Sequence, residues 1–193
     1  IIFPICFDGV KTQTWGGTTY LIHASCTSAV GTSLGIDFGW QGYRVRKEFA
    51  DMVGTTDARV MYVAGNTDNA TITDYLQFSQ GKKITKFSNK NADGTNGSNI
   101  TFPDTDFPLF RMGDAYLMYA ELAYVNGAAS TSTALGYINA LRSRASVAPA
   151  TDAEILANPA MFFVKERGKE LYWEGHRRQD LIRFGQFTGG NYN

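Results

Sequence analysis

KERGKELYWEGHRRQDLIRFG, residues Lys165 to Gly185, packs ten charged side chains into twenty-one positions and carries one of the chain's two histidines. Whether it is a reacting centre or a frame decides how the rest of the chain is read. Glu166, Glu170 and Glu174 stand at i, i+4 and i+8, so on a helix they share one face. Two carboxylates that act as acid and base on a glycosidic bond flank the substrate from opposite sides. Three that point the same way make a poor pair. His176 has no H-E-x-x-H partner for a zinc ion. The stretch therefore reads as an ion-pair lattice that locks one helix to its neighbours, with no catalytic residue in it. Arg111, Asp114, Glu121, Arg142 and Arg144, on earlier helical segments, offer partners, and Arg167, Arg177 and Arg178 flank the glutamates.

The helical pattern extends upstream to about residue 104. Leu109, Met112, Tyr116, Tyr119 and Ala123 recur at helical spacing after Pro108, a good first helical residue, and Gly127 stops the run. This predicts a helix over about 108–126. A second is expected over about 131–145, with Leu135, Ile138 and Leu141 inward, and the short connection implies an antiparallel hairpin. Thr151 and Glu154 form a capping-box pattern, Asn158-Pro159 breaks the chain, and a third long helix is expected over about 160–174. Gly175 interrupts it, and Asp180 to Phe184 reads as a further helical turn. No internal repeat is evident, although the hairpin has tetratricopeptide size.

Residues 1–103 read as a loop-rich ligand-binding region, and 104–193 as the helical framework. IIFPICF at the start is strand-like, and Thr18 to Ile22 reads as a second strand after Gly16-Gly17. The polar loop KTQTWGG between them carries Trp15. A short helix is expected from Arg44 to Val53. Strand-like runs follow at VMYVA, 60–64, and at KKITKFSN, 82–89, with a polar loop or short helix over 64–80 between them.

Lys plus Arg and Asp plus Glu number 18 each, which gives neither a basic stripe for nucleic acid nor an acidic solvating tail. The 193 residues suit one domain or one and a half. Aromatics reach 13%, a surplus that points to some rings being exposed for binding. No apolar run has membrane-spanning length and no leader or lipidation cysteine is visible. The chain opens on Ile1 inside a strand-like run, which reads as a fragment or a processed chain. A Cys6–Cys26 bridge would be worth about 3 kcal/mol in the chain-entropy model, but two buried free thiols are the favoured reading. No CxxC or Cys/His cluster suggests zinc.

Trp15, Trp40, Tyr20 and Tyr43 form the constellation with binding chemistry. Trp15 sits among Thr14, Gln13 and glycines with no periodic partner, unlike a core residue. A flat ring on a loop suits the C–H face of a sugar, and Gln13 and Thr14 could bond its hydroxyls. The plain alternative is that Trp15 plugs a gap between loop and helices. NKNADGTNG places Asn89, Asn91, Asp93 and Gly94 at calcium-loop spacing, but Ile100 stands where a bidentate Glu is required, so no metal is assigned.

FPLFRMGDAYLMYAEL, YINALRSRAS and ERGKELYWEGHRRQDLIRFG together resemble the C-terminal signature of the SusD/RagB family, and TQTWGGTTYLIHAS and GWQGYRVRKEFADMV match its earlier part. Gly168 departs from the pattern, where another charged residue is common. The resemblance implies a mainly α fold: a tetratricopeptide-related superhelix with long loops and a few short strands, this chain being the C-terminal portion. It implies a non-catalytic, lipid-anchored protein at the outer surface of the outer membrane. Such a protein captures oligosaccharides, here starch or malto-oligosaccharides, for a SusC-like TonB-dependent transporter, without a cofactor. It also implies that Trp15, with Tyr20, Gln13, Thr14 and Trp40, contacts the glycan. Two other classes remain open on the residues alone: a glycoside hydrolase on a helical scaffold, and a tetratricopeptide-type adaptor for a protein partner.

Overall fold

The computed structural model describes residues 1–60 and 71–188. The fold is mainly helical, with eight helices and a two-stranded sheet among the described residues. Residues 61–64 of the strand expected over 60–64 and residues 64–70 of the loop expected over 64–80 fall outside that description. The chain divides into two compact units. One gathers Ile1–Phe3, Met52–Val60 and the helices from Leu109 on; the other holds Pro4–Asp51 and the described residues 71–108.

The helical unit is built on α4 (Met112–Tyr124), α5 (Thr131–Arg144), α6 (Asp152–Ala157), α7 (Pro159–Leu171) and α8 (Arg177–Arg183). Local chemistry sets most of the starts. The side chains of Ser130, Thr151 and Asn158 accept backbone N–H bonds at the heads of α5, α6 and α7, and Pro159 occupies the first turn of α7. Ala120, Ala123, Ala134, Ile138, Ile155 and Phe163 close the core, and Leu117, Leu141 and Leu171 form a second cluster.

Two expectations fail at helix ends. Pro108 does not start α4, because Phe107–Phe110 forms strand β2, which pairs with β1 (Phe3–Ile5). The Ile2 amide donates to the Phe110 carbonyl at 2.8 Å, which keeps this run extended, and a proline is tolerated in so short a ribbon. Arg111, in extended conformation, then caps α4. At the other end, α7 stops at Leu171, since Tyr172 is extended and Trp173 left-handed at φ 63°. Glu174 therefore lies in a turn beyond the helix.

In the loop-rich unit, residues 18–22 are helix and not strand: α1 spans Gly17–Ala24 and α2 Ser28–Ser33. The Thr-Thr-Tyr-Leu-Ile run carries β-branched residues, yet in α1 Thr18, Thr19, Ile22, His23 and Ala24 are the buried ones, a helical and not an alternating set. Ile22, Cys26, Leu34 and Ile36 form the core here. Residues 82–89 do not form a strand either; among the described residues Lys82 makes an isolated bridge with Val45. The short helix expected nearby is α3 (Lys47–Val53). Both cysteines are free; Cys26 is buried, with burial pushing its thiol up to about 11, whereas Cys6 is exposed and not buried as expected.

Candidate functional site

The glutamates of the opening stretch reach arginines. Arg59 lies between Asp57 at 2.7 Å, Glu166 at 2.7 Å and Glu170 at 3.5 Å, all buried. Arg111 takes Glu170 at 2.6 Å and Glu174 at 2.5 Å, so Glu174 joins the lattice although it has left the helix. Arg142 bridges Glu154 and Glu166, Arg144 reaches Glu170, Arg167 holds Asp114 and Asp180, and Arg183 pairs with Glu121. All five partners expected from the sequence take part; Asp57 and Arg59 join them. Burial disfavours the Glu170 anion, but its bonds to Arg111 and Arg144 outweigh that and hold the carboxyl below its usual range. Asp57 is lowered in the same way, with Arg59 overcoming burial. Gly168 has a steric use: a Cβ there would meet the Arg177 guanidinium at 2.6 Å, and that group crosses α7 to bond the Val164 carbonyl.

The exposed chemistry lies in the loop-rich unit. The loop before α1 is closed by Asp8, whose Oδ1 accepts from the amides of Val10 and Lys11, which lower its pKa. Gln13 donates to the Gly9 carbonyl at 3.0 Å, and Thr14 Oγ1 accepts from the Gly16 amide at 3.1 Å. Asp104 accepts from the Gly9 amide and from both the amide and hydroxyl of Ser98, pinning this loop to the 98–104 segment. Trp15 then rests against Phe102, ring centroids 4.8 Å apart. An open groove of about 350 Å³ runs beside the loop, lined by Phe7, Asp8, Val10, Lys11, Ser98 and Asp104.

Tyr20 stands within α1, and Trp40 and Tyr43 are mounted at the C-terminal end of that helix, where carbonyls lack intrahelical partners. The amides of Trp40, Gln41 and Tyr43 donate to the carbonyls of His23, Cys26 and Ala24 at 2.7, 3.1 and 2.7 Å. Gln41 is left-handed at φ 61°, and Gly39 lies so close to Cys26 that a Cβ would stand 2.1 Å from its carbonyl oxygen. The result is a continuous row. Trp15 lies 6.1 Å from Trp40, Trp40 5.8 Å from Tyr20, and Tyr20 5.5 Å from Tyr43, all within the roughly 4.5–7 Å range of favourable ring pairs. Trp15 is 54% exposed, Tyr43 46% and Tyr20 39%, while Trp40 is half-buried. A hydrogen bond with Tyr43 raises the Tyr20 phenol above its ordinary value.

The structure thus brings together all five residues singled out in the sequence: the rings in one row, Gln13 and Thr14 on the same loop as Trp15. Phe102 escaped the sequence reading, since nothing local marks a partner so far along the chain. Gly31-Thr32-Ser33-Leu34-Gly35 spells a serine-elbow motif, against the sequence reading that the chain has none. Ser33, however, ends α2 and donates its hydroxyl to the Val30 carbonyl at 2.7 Å, away from any strand-to-helix turn. In the Asn89–Gly97 loop, Asn89 is spent internally, donating to the Gly35 and Asn99 carbonyls and accepting from the Asp104 amide.

Comparison with known proteins places this geometry in context. The model of the SusD family matches residues 11–193. The starch-binding protein SusD of Bacteroides thetaiotaomicron is 32% identical over 242 residues, an alignment that covers 100% of this chain and 42% of that protein. A crystal structure of a SusD superfamily protein from Bacteroides fragilis NCTC 9343 superposes with a TM-score of 0.62 at 22% identity, over 99% of this chain and 42% of that one. The chain thus spans well under half the length of these two relatives.

Proposed function

The chain belongs to the SusD family, and from that premise we propose that it is a non-catalytic glycan-binding protein. It captures oligosaccharides at the outer face of the outer membrane, held there by a lipid anchor, and passes them to a SusC-like TonB-dependent transporter. The ligand class is α-glucan: starch and malto-oligosaccharides. The observation that carries this reading is the exposed row Trp15–Trp40–Tyr20–Tyr43. Rings that could have been buried for stability are instead presented to solvent, in a stepped and tilted series that suits a curved sugar chain better than a flat ribbon. Stacking on such rings tolerates variation in the ligand, and the phenols of Tyr20 and Tyr43 with the Gln13 and Thr14 side chains supply hydrogen bonds to hydroxyls. The glutamates that a hydrolase would need are engaged by arginines. Calorimetry with maltoheptaose, xylan and inulin fragments tests the reading. It expects heat from maltoheptaose that Trp15→Ala abolishes or weakens. Binding of xylan or inulin alone overturns the α-glucan assignment, and reducing-sugar release by pure protein overturns the non-catalytic one.

A further inference from the structure

His23 is fully buried on α1, one turn beyond Tyr20, so its own side chain is out of a ligand's reach. Its ring meets two backbone carbonyls from separate segments: Nδ1 lies 2.6 Å from the Phe38 oxygen and Nε2 2.9 Å from the Thr101 oxygen. Both partners only accept, so whichever nitrogen carries the hydrogen donates to the carbonyl beside it. The flat face is used as well. It stacks on Trp40 at 5.1 Å and 27°, and the His23 carbonyl accepts from the Trp40 amide at 2.7 Å. Thr101 immediately precedes Phe102, the ring on which Trp15 rests. One side chain therefore touches the supports of both ends of the tryptophan pair.

We propose that His23 is the positioning residue of the aromatic row, setting the Trp40 ring by stacking and tying the Phe38–Trp40 segment to the Thr101–Phe102 segment through its two nitrogens. This rests on the reading of the row as the glycan site. A purely apolar side chain would fill the same volume without the cost of burying two polar nitrogens. Histidine is the residue that is flat enough to back an indole and polar at both edges. The gain is pre-organisation: a ring already held in place loses little freedom when a sugar stacks on it. The two segments have a second tie, since Asp37 accepts from the Thr101 hydroxyl and its amide donates to the Ile100 carbonyl at 3.1 Å. Removing the His23 contacts should therefore leave the protein folded.

The test compares His23→Phe, which keeps a ring to stack but loses both edge contacts, with His23→Gln, which keeps an amide donor but loses the stack. Maltoheptaose affinity, the near-ultraviolet circular dichroism of the tryptophan pair and the melting temperature are measured on each. Both variants should remain helical, lose the tryptophan signature in part, and bind about three- to tenfold more weakly than wild type. Wild-type affinity and spectrum in His23→Phe, or a lower melting temperature with unchanged affinity and spectrum, would overturn the proposal and leave His23 as ordinary core. If the wild-type protein binds no glycan, the proposed function fails, and the spectra alone then decide whether His23 sets the rings.

Discussion

Glu170 and Trp15 both sit where their residue types are least expected. The glutamate is 3% exposed in the helical unit, and the tryptophan is 54% exposed in the loop-rich one. Glu170 is tolerated because Arg59, Arg111 and Arg144 supply its charge balance and its hydrogen bonds together. Trp15 is tolerated because only part of it needs shelter, and Phe102 and Trp40 give it that. The first arrangement specifies a packing between helices; the second leaves a sticky face toward solvent. A buried polar lattice and an exposed apolar row thus mark frame and site more clearly than either residue type does alone.

Acid should separate the two regions most sharply. Glu170 and Asp57 are held below the ordinary carboxyl values of 4.5 and 3.8, so the stability they contribute is full above those values and is lost as pH falls through the lower folded-state ones. Thermal melts should be flat from neutral pH down to about pH 5 and then drop steeply as buried arginines lose their partners. Glycan affinity measured on folded protein should barely change over the flat range, since the rings carry no charge there. An affinity that collapses while the melt is still flat would show that the site borrows from titrating groups.

Single substitutions sharpen the contrast. Glu170→Gln should cost about 3–5 kcal/mol of stability in denaturant melts, because three arginines then face a neutral amide in a buried place. Glycan affinity of the remaining folded fraction should stay near wild type. Trp15→Ala should do the opposite. Its melt should shift little, whereas binding should weaken by about 1–3 kcal/mol if sugar stacking resembles base stacking on an aromatic ring. Smallest of all, Thr151→Ala removes the cap of α6, whose hydroxyl accepts from the Glu154 amide at 3.2 Å, and should cost about 1 kcal/mol in the same melts. A cap effect equal to that of Glu170→Gln would mean that the lattice adds less than local helix chemistry.

The helical unit was the more legible in sequence because its signals are local or complementary. The hydroxyl before α5, the Thr151–Glu154 spacing and the Asn158-Pro159 break all act within one turn. Charges of opposite sign on neighbouring amphipathic segments have few other places to go. What misled was tertiary. Pro108 suits a helix start until β1 claims its neighbours as strand β2. Residues 18–22 carry strand-prone side chains that the buried set Thr18, Thr19, Ile22, His23 and Ala24 turns into a helix. Of the site, Trp15 declared itself by its polar neighbours, but the order of the rings depends on a loop that caps the end of α1 and on Phe102 arriving from another segment. His23 has no sequence mark at all, since its partners are backbone carbonyls.

A crystal structure of the protein with maltoheptaose tests the central claim most directly. The account predicts a glucose ring stacked in van der Waals contact on Trp15, neighbouring units reaching Trp40 and the phenols of Tyr20 and Tyr43, and no sugar among the glutamates of the lattice. Maltoheptaose bound elsewhere, with these rings still open to solvent, would contradict it.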